Sequence, residues 1–205
     1  MKKTIIFDLG GVLIDWNPRH LYRKIFADQG EMEFFLSQVC TPDWNAQMDR
    51  GYPFKTAVGE LTDQHPKYTL QIQAFFGRWE EMILGSFPET VKILGVVKAA
   101  GYPVAGLTNW SGETFPRVAH RFEFLGWFDP LIVSGKIGMV KPDPEIYHYL
   151  LKMIQRVPEK CIFIDDNEIN IQTAEELGFE CIHFFSPIQL RSRLEELEIL
   201  INNQP

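Results

Sequence analysis

The sequence predicts an α/β protein, in which a parallel sheet carries helices on both faces and a helical segment is inserted after the first strand. Three observations lead to this prediction. Short apolar runs with the length of buried strands recur along the chain, and helical apolar patterns lie between them. The segment from residue 16 to residue 85 is different, because it is rich in aromatic residues at helical spacing and contains no clear strand.

Five apolar runs are the candidate strands of the sheet, because each is short and ends at turn or polar residues. They cover residues 4–7, 102–107, 131–133, 161–164 and 181–184. Helical spacing of apolar side chains predicts helices over residues 88–100, 144–155, 169–177 and 187–201. Gly101 and Gly178 follow two of these helices as stop signals, and Ser186 with Pro187 forms a typical helix start.

The same pattern divides the chain into two parts. Residues 1–15 and 86–205 form the predicted α/β core, and residues 16–85 form the predicted helical cap. Because strands alternate with helices in the core, we expect right-handed crossovers between parallel strands.

Composition excludes several classes of protein. The 205 residues contain 20 Lys+Arg and 27 Asp+Glu, so the formal net charge is −7, and 45% of the residues are hydrophobic. These values are typical of a globular protein and exclude a disordered, collagen-like or coiled-coil chain. An acidic chain is a poor general binder of nucleic acids and anionic membranes. No apolar stretch is long enough for a membrane span, and Asp8 interrupts the one run that resembles a signal peptide, so we expect a cytoplasmic protein.

The three cysteines, Cys40, Cys161 and Cys181, are too few for a disulfide framework and lack the spacing of a metal site. We therefore expect buried thiols in a reducing compartment. The sequence does not indicate the oligomeric state.

Polar side chains of complementary chemistry follow four of the predicted strands. In an open α/β sheet, ligands bind just beyond the carboxyl ends of the strands. The residues at these positions are Asp8, Thr108, Asn109, Lys141, Asp165 and Asp166. A carboxylate there serves as a nucleophile or a metal ligand, whereas a hydroxyl, an amide and an amine suit an anion with charge spread over several oxygens. Taken singly, each residue also has an ordinary interpretation as a turn former, a helix cap or a surface charge.

The carboxylates of this group predict a divalent cation. Asp8 and the pair Asp165–Asp166 follow strands of one sheet, and carboxylates gathered at one edge repel each other. A hard cation relieves this repulsion, and Mg²⁺ prefers few carboxylates together with water and phosphate oxygens. With Lys141 as an additional positive charge, the pattern favours a site for a phosphorylated ligand.

In this order, the motifs resemble those of the haloacid dehalogenase-like (HAD) hydrolase superfamily over nearly the whole chain. They are residues 5–13, Thr108-Asn109, Lys141 within residues 134–144, and residues 163–167 followed by Asn170. The resemblance implies a HAD-like, Rossmann-like core with a small helical cap.

The resemblance also implies a Mg²⁺-dependent phosphatase of small phosphorylated metabolites. In that reaction Asp8 would attack phosphorus and form an aspartyl-phosphate, which water then hydrolyses. Thr108 and the backbone of Asn109 would hold the transferring group, and Lys141 would neutralise its charge together with that of Asp8. The Mg²⁺ ligands that the resemblance implies are Asp8, the backbone carbonyl of Gly10 and Asp166, with Asp165 assisting.

Position 10 departs from the family pattern. Phosphatases of the superfamily usually carry a second Asp two residues after the nucleophile, where this chain has Gly10. That Asp protonates the leaving group and activates water, and such acid–base help contributes about 10²–10⁴-fold to a rate. Its loss should slow the hydrolysis of esters with poor leaving groups. Similar Asp-Leu-Gly openings occur in a branch that resembles sugar-phosphate phosphatases, such as glucose-1-phosphate phosphatases.

The missing Asp leaves two alternatives open. One is a 2-haloacid dehalogenase-type hydrolase, which also lacks the second Asp and needs no Mg²⁺. The other is a catalytically weakened homologue kept as a binding or regulatory protein. The acidic pair Asp165–Asp166 argues against the first alternative, and the retention of Asp8, Thr108 and Lys141 argues against the second.

The predicted cap would close over the strand ends and shield the site from water. Candidates for substrate contact are Trp16, Asn17, Trp44, Asp49, Arg50 and Trp110. For the aromatic residues of the cap, a place in its hydrophobic core is the competing interpretation, and for Asp49 and Arg50 it is a solvated turn. We predict Arg50 as a substrate-binding residue.

Overall fold

The computed structural model describes residues 2–200, in which short β-strands alternate with helices. The strands are β1 (Thr4–Phe7), β2 (Ile14–Trp16), β3 (Ile83–Ser86), β4 (Val104–Thr108), β5 (Leu131–Val133), β6 (Cys161–Asp165) and β7 (Glu180–His183). Five of them form a parallel sheet in the order β5-β4-β1-β6-β7. The predicted α/β class with a parallel sheet is therefore confirmed.

Helices connect the strands. They are α1 (Arg19–Tyr22), α2 (Gln29–Gln38), α3 (Pro42–Asp49), α4 (Phe54–Gln64), α5 (Thr69–Gly77), α6 (Pro88–Ala99), α7 (Phe115–Ala119), α8 (Ser134–Ile137), α9 (Pro144–Ile154), α10 (Glu168–Glu176) and α11 (Pro187–Glu196). Short 3₁₀ helices lie at Pro66–Tyr68, Trp79–Met82, Glu123–Trp127 and Pro158–Lys160. Within residues 2–200, no helix combines the length and the apolar character needed to cross a membrane.

Strand β1 lies at the centre of the sheet and is buried on both faces. Ile5 and Phe7 pack into one hydrophobic cluster, and Ile6 between them packs into a second cluster. The alternation follows from the two-residue period of a strand. Ile5 pairs with Val104 on one side and with Ile162 on the other. A strand that is covered on both faces has a continuous apolar sequence, which explains the uninterrupted apolar run at residues 4–7.

The bounds of three strands differ from the prediction. β1 and β5 have the predicted bounds, whereas β4 and β6 each end one residue later, β4 also begins two residues later, and β7 begins and ends one residue earlier. Thr108 pairs with Val133 and Asp165 pairs with His183, so both polar residues belong to the sheet. Their backbone continues the ladder although their side chains end the apolar pattern. Both side chains are therefore positioned by strands, not by loops.

The helices of the core agree closely with the prediction. α6, α9 and α10 lie within one residue of the predicted bounds. α11 begins at Pro187, and the side chain of Ser186 caps it by accepting a hydrogen bond from the backbone N–H of Gln189. The helix ends at Glu196, earlier than predicted, and Glu198 has a left-handed φ of 57°. Ile201, which the prediction includes in this helix, lies outside the described residues.

Strands β2 and β3 form a separate antiparallel ribbon. Ile14 pairs with Ser86, and Trp16 pairs with Ile83. The expectation that residues 16–85 contain no strand is therefore wrong at both ends of that segment. The strands have three and four residues, too few for a period of two to be visible in the sequence. The predicted division after residues 15 and 85 passes through this ribbon, and the division into core and cap stays a prediction.

Helices α1–α5, which lie between the two strands of the ribbon, enclose a cluster of aromatic side chains. The ring centroids of Tyr22 and Phe35 are 4.9 Å apart, and those of Trp44 and Phe75 are 5.0 Å apart. All four side chains are buried. The aromatic residues at helical spacing thus form the hydrophobic core of this segment, and Trp44 belongs to that core instead of a substrate pocket.

The cysteines are free thiols, as expected. Cys40 and Cys161 are buried, and Cys181 is partly buried. Burial raises the pKa of Cys161 to about 11, so its thiol stays protonated at neutral pH.

Candidate active site

Three neighbouring strands bring Thr108, Asp8 and Asp165 to one edge of the sheet. Thr108 ends β4 and Asp165 ends β6, while Asp8 directly follows β1 between them. The backbone N–H of Asp8 donates to the carbonyl of Ile164 at 2.9 Å, which holds Asp8 against β6. One carboxylate oxygen each of Asp8, Asp165 and Asp166 lies within 4.8 Å of the others. The acids that follow the predicted strands are thus gathered into one group.

Lys141 reaches this group from the loop between α8 and α9. Its side chain is buried, with Nζ 2.9 Å from Oδ1 of Asp8 and 2.6 Å from Oδ2 of Asp165. Asn109 fixes the loop, because its Oδ1 accepts from the backbone N–H of Lys141 and its Nδ2 donates to the Lys141 carbonyl, both at 2.8 Å. Lys141 is therefore a fixed cation between two carboxylates. The amide side chain of Asn109 is used to position it.

Burial and neighbouring charges shift the pKa values of Asp8 and Lys141. It raises the pKa of Asp8 to about 7, against the lowering effect of Lys141 and with smaller raising effects of Asp165 and Asp166. Burial by itself lowers the pKa of Lys141, but the carboxylates of Asp165 and Asp8 outweigh it and the pKa is raised. Lys141 is therefore charged at neutral pH. A cation among the carboxylates would favour the ionised form of Asp8, which is the nucleophilic form.

Asp165 is fully buried and is bound by protein donors on both oxygens. Oδ1 accepts from the backbone N–H of Asn167 at 2.8 Å and from Nδ2 of Asn170 at 3.0 Å. Oδ2 accepts from Lys141 at 2.6 Å. These bonds orient Asp165 toward Lys141, which favours a positioning role. Asp166 is exposed by comparison.

The donor set of the group fits Mg²⁺, which prefers hard oxygen ligands and few carboxylates. Asp8, Asp166 and Gly10 line the same cavity, so the two carboxylates and the Gly10 carbonyl can contribute to one site. Although Asp166 is the most exposed of the three acids, partial burial of its carboxyl and the charge of Asp165 raise its pKa, and Lys141 lowers it less. Burial and mutual repulsion therefore disfavour the ionised carboxylates of this group. A divalent cation would stabilise them.

Gly11 makes room for Asp166. Its φ of +72° lies in the left-handed region, and an added Cβ would lie 2.1 Å from Oδ2 of Asp166. Gly10 is different, because a Cβ there would meet nothing within 4 Å. Glycine is thus required at position 11 by the left-handed backbone conformation and by the neighbouring carboxylate of Asp166. Gly10, in contrast, borders open space.

We expect Gly11→Ala to destabilise the protein by about 1–3 kcal/mol, because alanine is strained at this φ and its methyl group collides with Asp166. Displacement of the Asp166 carboxylate should also weaken Mg²⁺ binding. Chemical denaturation measures the first effect, and thermal unfolding across a Mg²⁺ titration measures the second. Gly10→Ala is the matched control and should retain stability. Equal losses in the two variants would mean that the left-handed conformation of Gly11 does not matter.

A cavity of about 330 Å³ adjoins Asp8. Its walls include Asp8, Gly10, Thr108, Asn109, Lys141 and Asp166, which are six of the predicted site residues. A cavity of this size accommodates a small organic molecule. The candidate active site is therefore the space at the carboxyl edge of the sheet, as the strand ends predict.

Strand β2 and the segment that follows it supply further walls of this cavity. Trp16 and Asp49 line it, and Asn45, Trp79 and Trp110 line a smaller pocket that shares Trp16 and Asp49. The indole N–H of Trp16 is buried and has no hydrogen-bond partner among residues 2–200. Trp16, Asp49 and Trp110 agree with the sequence-based candidates. Asn45 and Trp79 were missed, because no motif marks them and the crowding of aromatic residues was the only signal.

Arg50 and Asn17 are not among the residues that line this cavity, and their role as substrate contacts stays a prediction. Nη1 of Arg50 donates to Oδ2 of Asp143 at 2.6 Å on the surface. The side chain of Asn17 accepts from the backbone N–H of Arg19 at the start of α1. Arg50 follows Asp49 at the end of α3, and consecutive helical residues point about 100° apart. Because Asp49 faces the cavity, Arg50 faces elsewhere.

A family model for haloacid dehalogenase-like hydrolases matches residues 2–178. The chain belongs to this family. The resemblance that the four motifs predict is therefore confirmed.

Relatives of this HAD hydrolase include phosphatases. D-ribitol-5-phosphate phosphatase of Bacteroides thetaiotaomicron is 27% identical over 212 residues, covering 99% of this chain and 100% of that protein. Acyl-CoA dehydrogenase family member 10 of Mus musculus is 26% identical over 221 residues; the match covers 97% of this chain but 19% of the mouse protein. A HAD family enzyme of Bacteroides thetaiotaomicron, solved in complex with magnesium and inorganic phosphate, is 26% identical with a TM-score of 0.65. That match covers 89% of this chain and 93% of the solved one.

Proposed function

We propose that this HAD hydrolase is a Mg²⁺-dependent phosphatase of small phosphorylated metabolites, with sugar or polyol phosphates as its substrate class. The observation that carries the proposal is Asp8 held 2.9 Å from the Lys141 ammonium within a group of three carboxylates. A carboxylate nucleophile, a fixed positive charge and a cation site are the parts that phosphoryl transfer requires. The D-ribitol-5-phosphate phosphatase and the magnesium–phosphate complex of a related HAD enzyme support it.

Asp8 is the nucleophile of the proposed reaction. Its carboxylate oxygen attacks phosphorus, the bond from phosphorus to the ester oxygen breaks, and an aspartyl-phosphate forms on Asp8. Water then attacks the same phosphorus, which releases inorganic phosphate and restores the carboxylate. Lys141 neutralises negative charge between Asp8 and the phosphoryl oxygens. The Thr108 hydroxyl and the backbone N–H of Asn109 hold the phosphoryl oxygens.

The proposed Mg²⁺ ligands are Asp8, Asp166 and the backbone carbonyl of Gly10. When bound, Mg²⁺ supplies positive charge that allows two anions, the nucleophile and the phosphate, to approach each other. Asp165 assists through Lys141, because its oxygens are already bound by Lys141 and by backbone and amide donors.

The lining of the cavity supports a small hydroxylated substrate. The amide of Asn45 offers hydrogen bonds to hydroxyl groups, and the buried indole N–H of Trp16 has no partner among residues 2–200. The indole rings of Trp16, Trp79 and Trp110 offer apolar faces. A sugar or polyol phosphate presents both kinds of surface, and about 330 Å³ holds a small one.

Two features of the site argue against the alternative functions, a dehalogenase and a binding homologue. A 2-haloacid dehalogenase of this family needs no metal, so the gathering of three carboxylates within 4.8 Å would have no purpose there. A binding homologue would not need the buried Asp8–Lys141 pair, whose desolvation is costly. Both observations favour the phosphatase.

A panel of phosphate esters tests the proposal, with release of inorganic phosphate measured in the presence and absence of Mg²⁺. We expect Mg²⁺-dependent hydrolysis that is fastest with small sugar and polyol phosphates. Halide release from a 2-haloacid without metal would instead support a dehalogenase. Absence of hydrolysis of every ester by a folded protein would favour the binding homologue.

We expect Asp166→Asn to weaken Mg²⁺ binding by on the order of 100-fold, because it removes one carboxylate of the proposed ligand set. Binding of Mg²⁺ to the folded state raises the melting temperature, so thermal unfolding across a Mg²⁺ titration reports the affinity without an activity assay. Glu168→Gln removes the same charge from an exposed neighbouring residue and is the control. Equal Mg²⁺ affinities of the two variants would exclude Asp166 as a ligand.

Expectations about location and partners stay predictions from composition. The net charge of −7 favours neither nucleic acid nor an anionic membrane as a partner. Cell fractionation tests the expected cytoplasmic location.

A further inference from the structure

The proposed reaction needs a proton donor that the first motif does not supply. When the bond between phosphorus and an alkyl oxygen breaks, the departing oxygen is strongly basic and requires a proton. The attack of water in the second step requires the removal of a proton. Gly10 stands where the family usually has the responsible Asp, and a Cβ at Gly10 would meet nothing within 4 Å. Water or an acid from another part of the chain would have to take over this role.

Asp49 is placed to do so. It is the last residue of α3 and lines the cavity together with Asp8 and Gly10. Among the described residues of the cavity wall, Asp8, Asp49 and Asp166 carry carboxyl groups. Asp8 and Asp166 already serve as nucleophile and proposed metal ligand. Asp49 is the remaining acid, and it lies on the helical side of the cavity, opposite the sheet edge.

Hydrogen bonds fix Asp49 to the sheet that carries the nucleophile. Nδ2 of Asn45, one turn earlier in α3, donates to Oδ2 of Asp49 at 3.0 Å. Oγ of Ser134, at the end of β5, donates to the backbone carbonyl of Asp49 at 2.6 Å. The same Oγ accepts from the backbone N–H of Trp110, which follows β4, at 2.9 Å. The end of α3 is thus tied to two strand ends, and the carboxyl group has a defined position.

The surroundings of Asp49 suit proton transfer. Burial raises the pKa of its carboxyl to about 7, and a hydrogen bond from the Ser111 backbone lowers it in part. Neither cause of this shift is a charged partner that would hold Asp49 permanently ionised. A carboxyl with a pKa near neutral is available in both its acid and its base form, as two successive proton transfers require.

We propose that Asp49 is the general acid and general base of the reaction, a role that rests on the proposed phosphatase function. As an oxygen of Asp8 attacks phosphorus, the electron pair of the breaking bond goes to the ester oxygen, which takes the proton of Asp49. The ionised Asp49 then takes a proton from the water that attacks phosphorus. The electron pair of the second breaking bond returns to Asp8. Each turnover consumes one water and restores the protonated Asp49.

Asp49→Asn tests the proposal, because asparagine keeps the shape of the side chain and can still accept from Asn45 but cannot transfer a proton. With an alkyl phosphate, we expect kcat to fall by about 10²–10⁴-fold. Dinitrophenyl phosphate has a leaving group that needs no proton, so transfer to Asp8 should stay fast. Hydrolysis of the intermediate should be slow, and dinitrophenol should therefore appear as a stoichiometric burst followed by slow turnover.

Asp43→Asn is the matched control, since it makes the same change at an exposed residue of the same helix. It should retain the wild-type kcat on both esters. Equal losses of Asp49→Asn on the two esters without a burst would overturn the proposal, as would an unchanged kcat on the alkyl ester. Failure of the phosphatase function is seen separately, because the wild-type protein would then hydrolyse neither ester.

Gly10→Asp provides a second measurement, made in both the wild-type and the Asp49→Asn backgrounds. Open space at Gly10 accommodates the new side chain. If Asp49 transfers the proton, the added acid should increase alkyl-ester turnover at least about 10-fold more in the Asp49→Asn background than in the wild-type background. Equal fold-changes in the two backgrounds would overturn the proposal.

Discussion

Asp8→Asn should abolish the turnover of phosphate esters, with a fall in kcat on the order of 10³-fold or more. The amide of asparagine cannot attack phosphorus as a carboxylate does, so no aspartyl-phosphate forms. The fold should persist for two reasons. Lys141 keeps its 2.6 Å contact with Asp165. Burial raises the pKa of Asp8 to about 7, so the ionised carboxyl that the variant removes is unfavourable in the folded protein. Inactivation without unfolding is therefore the expected result.

Release of inorganic phosphate and thermal unfolding, measured on the same preparation, check this result. Asp63→Asn is the control, because it removes the same charge from an exposed residue of α4, remote from the sheet edge. It should retain wild-type turnover. A folded Asp8→Asn protein that keeps most of its kcat would exclude Asp8 as the nucleophile.

Lys141→Met should inactivate the enzyme and also destabilise the fold. Lys141 is 3% exposed and contacts the carboxylates of Asp8 and Asp165. Removing one partner of a buried ion pair leaves uncompensated charge in the interior, which costs about 3–5 kcal/mol. Without Lys141, the pKa of Asp8 should rise above its present value of about 7, so less of the ionised nucleophile exists at neutral pH. The positive charge that faces the phosphate is lost as well.

This destabilisation should depend on pH with a definite sign. A carboxyl whose pKa in the folded state lies above its ordinary value of 3.8 binds more protons when folded, so its contribution to stability is present at low pH and lost as pH rises. Because the variant raises the pKa of Asp8 further, its stability deficit relative to the wild type should grow above pH 7.

Urea unfolding below and above pH 7 measures this deficit. Lys152→Met, at an exposed lysine of α9, is the control and should show no such pH dependence. Adding Asp8→Asn to Lys141→Met should recover part of the lost stability, since one unpaired carboxylate is then absent. A deficit that is the same at both pH values, together with no recovery in the double variant, would mean that the Asp8–Lys141 pair is not electrostatically coupled.

The core sheet was predictable because its strands are buried on both faces. The Thr4–Phe7 strand has no polar side to interrupt its apolar run, so its bounds are visible in the sequence. The β2–β3 ribbon was not predictable, since Ile14 and Ser86 pair across the whole helical segment and each strand is very short. Thr108 and Asp165 were placed after their strands because a polar side chain ends an apolar pattern without ending the backbone ladder.

The site was predictable as far as strand ends determine it. Asp8 and Asp166 meet because the strands before them, β1 and β6, are neighbours in the sheet, and Lys141 reaches them from the loop between α8 and α9. The contribution of α3 was predictable only in part, because Asp49 and Arg50 were both candidates and the bond from Ser134 to the Asp49 backbone is a tertiary contact that the sequence does not show. Asp49 lines the cavity, whereas its neighbour Arg50, which the sequence favoured, is not among the lining residues.

The most direct measurement of the central claim is the location of the phosphoryl group after the enzyme, Mg²⁺ and an ester substrate are mixed and quenched in acid. We expect a phosphorylated peptide that contains residues 4–13, with the phosphoryl group on Asp8, and its conversion to homoserine at position 8 by borohydride. The Asp8→Asn variant should yield no labelled peptide. A phosphoryl group on another residue, or steady phosphate release in which no phosphorylated enzyme can be trapped, would contradict the assignment of Asp8 as the nucleophile.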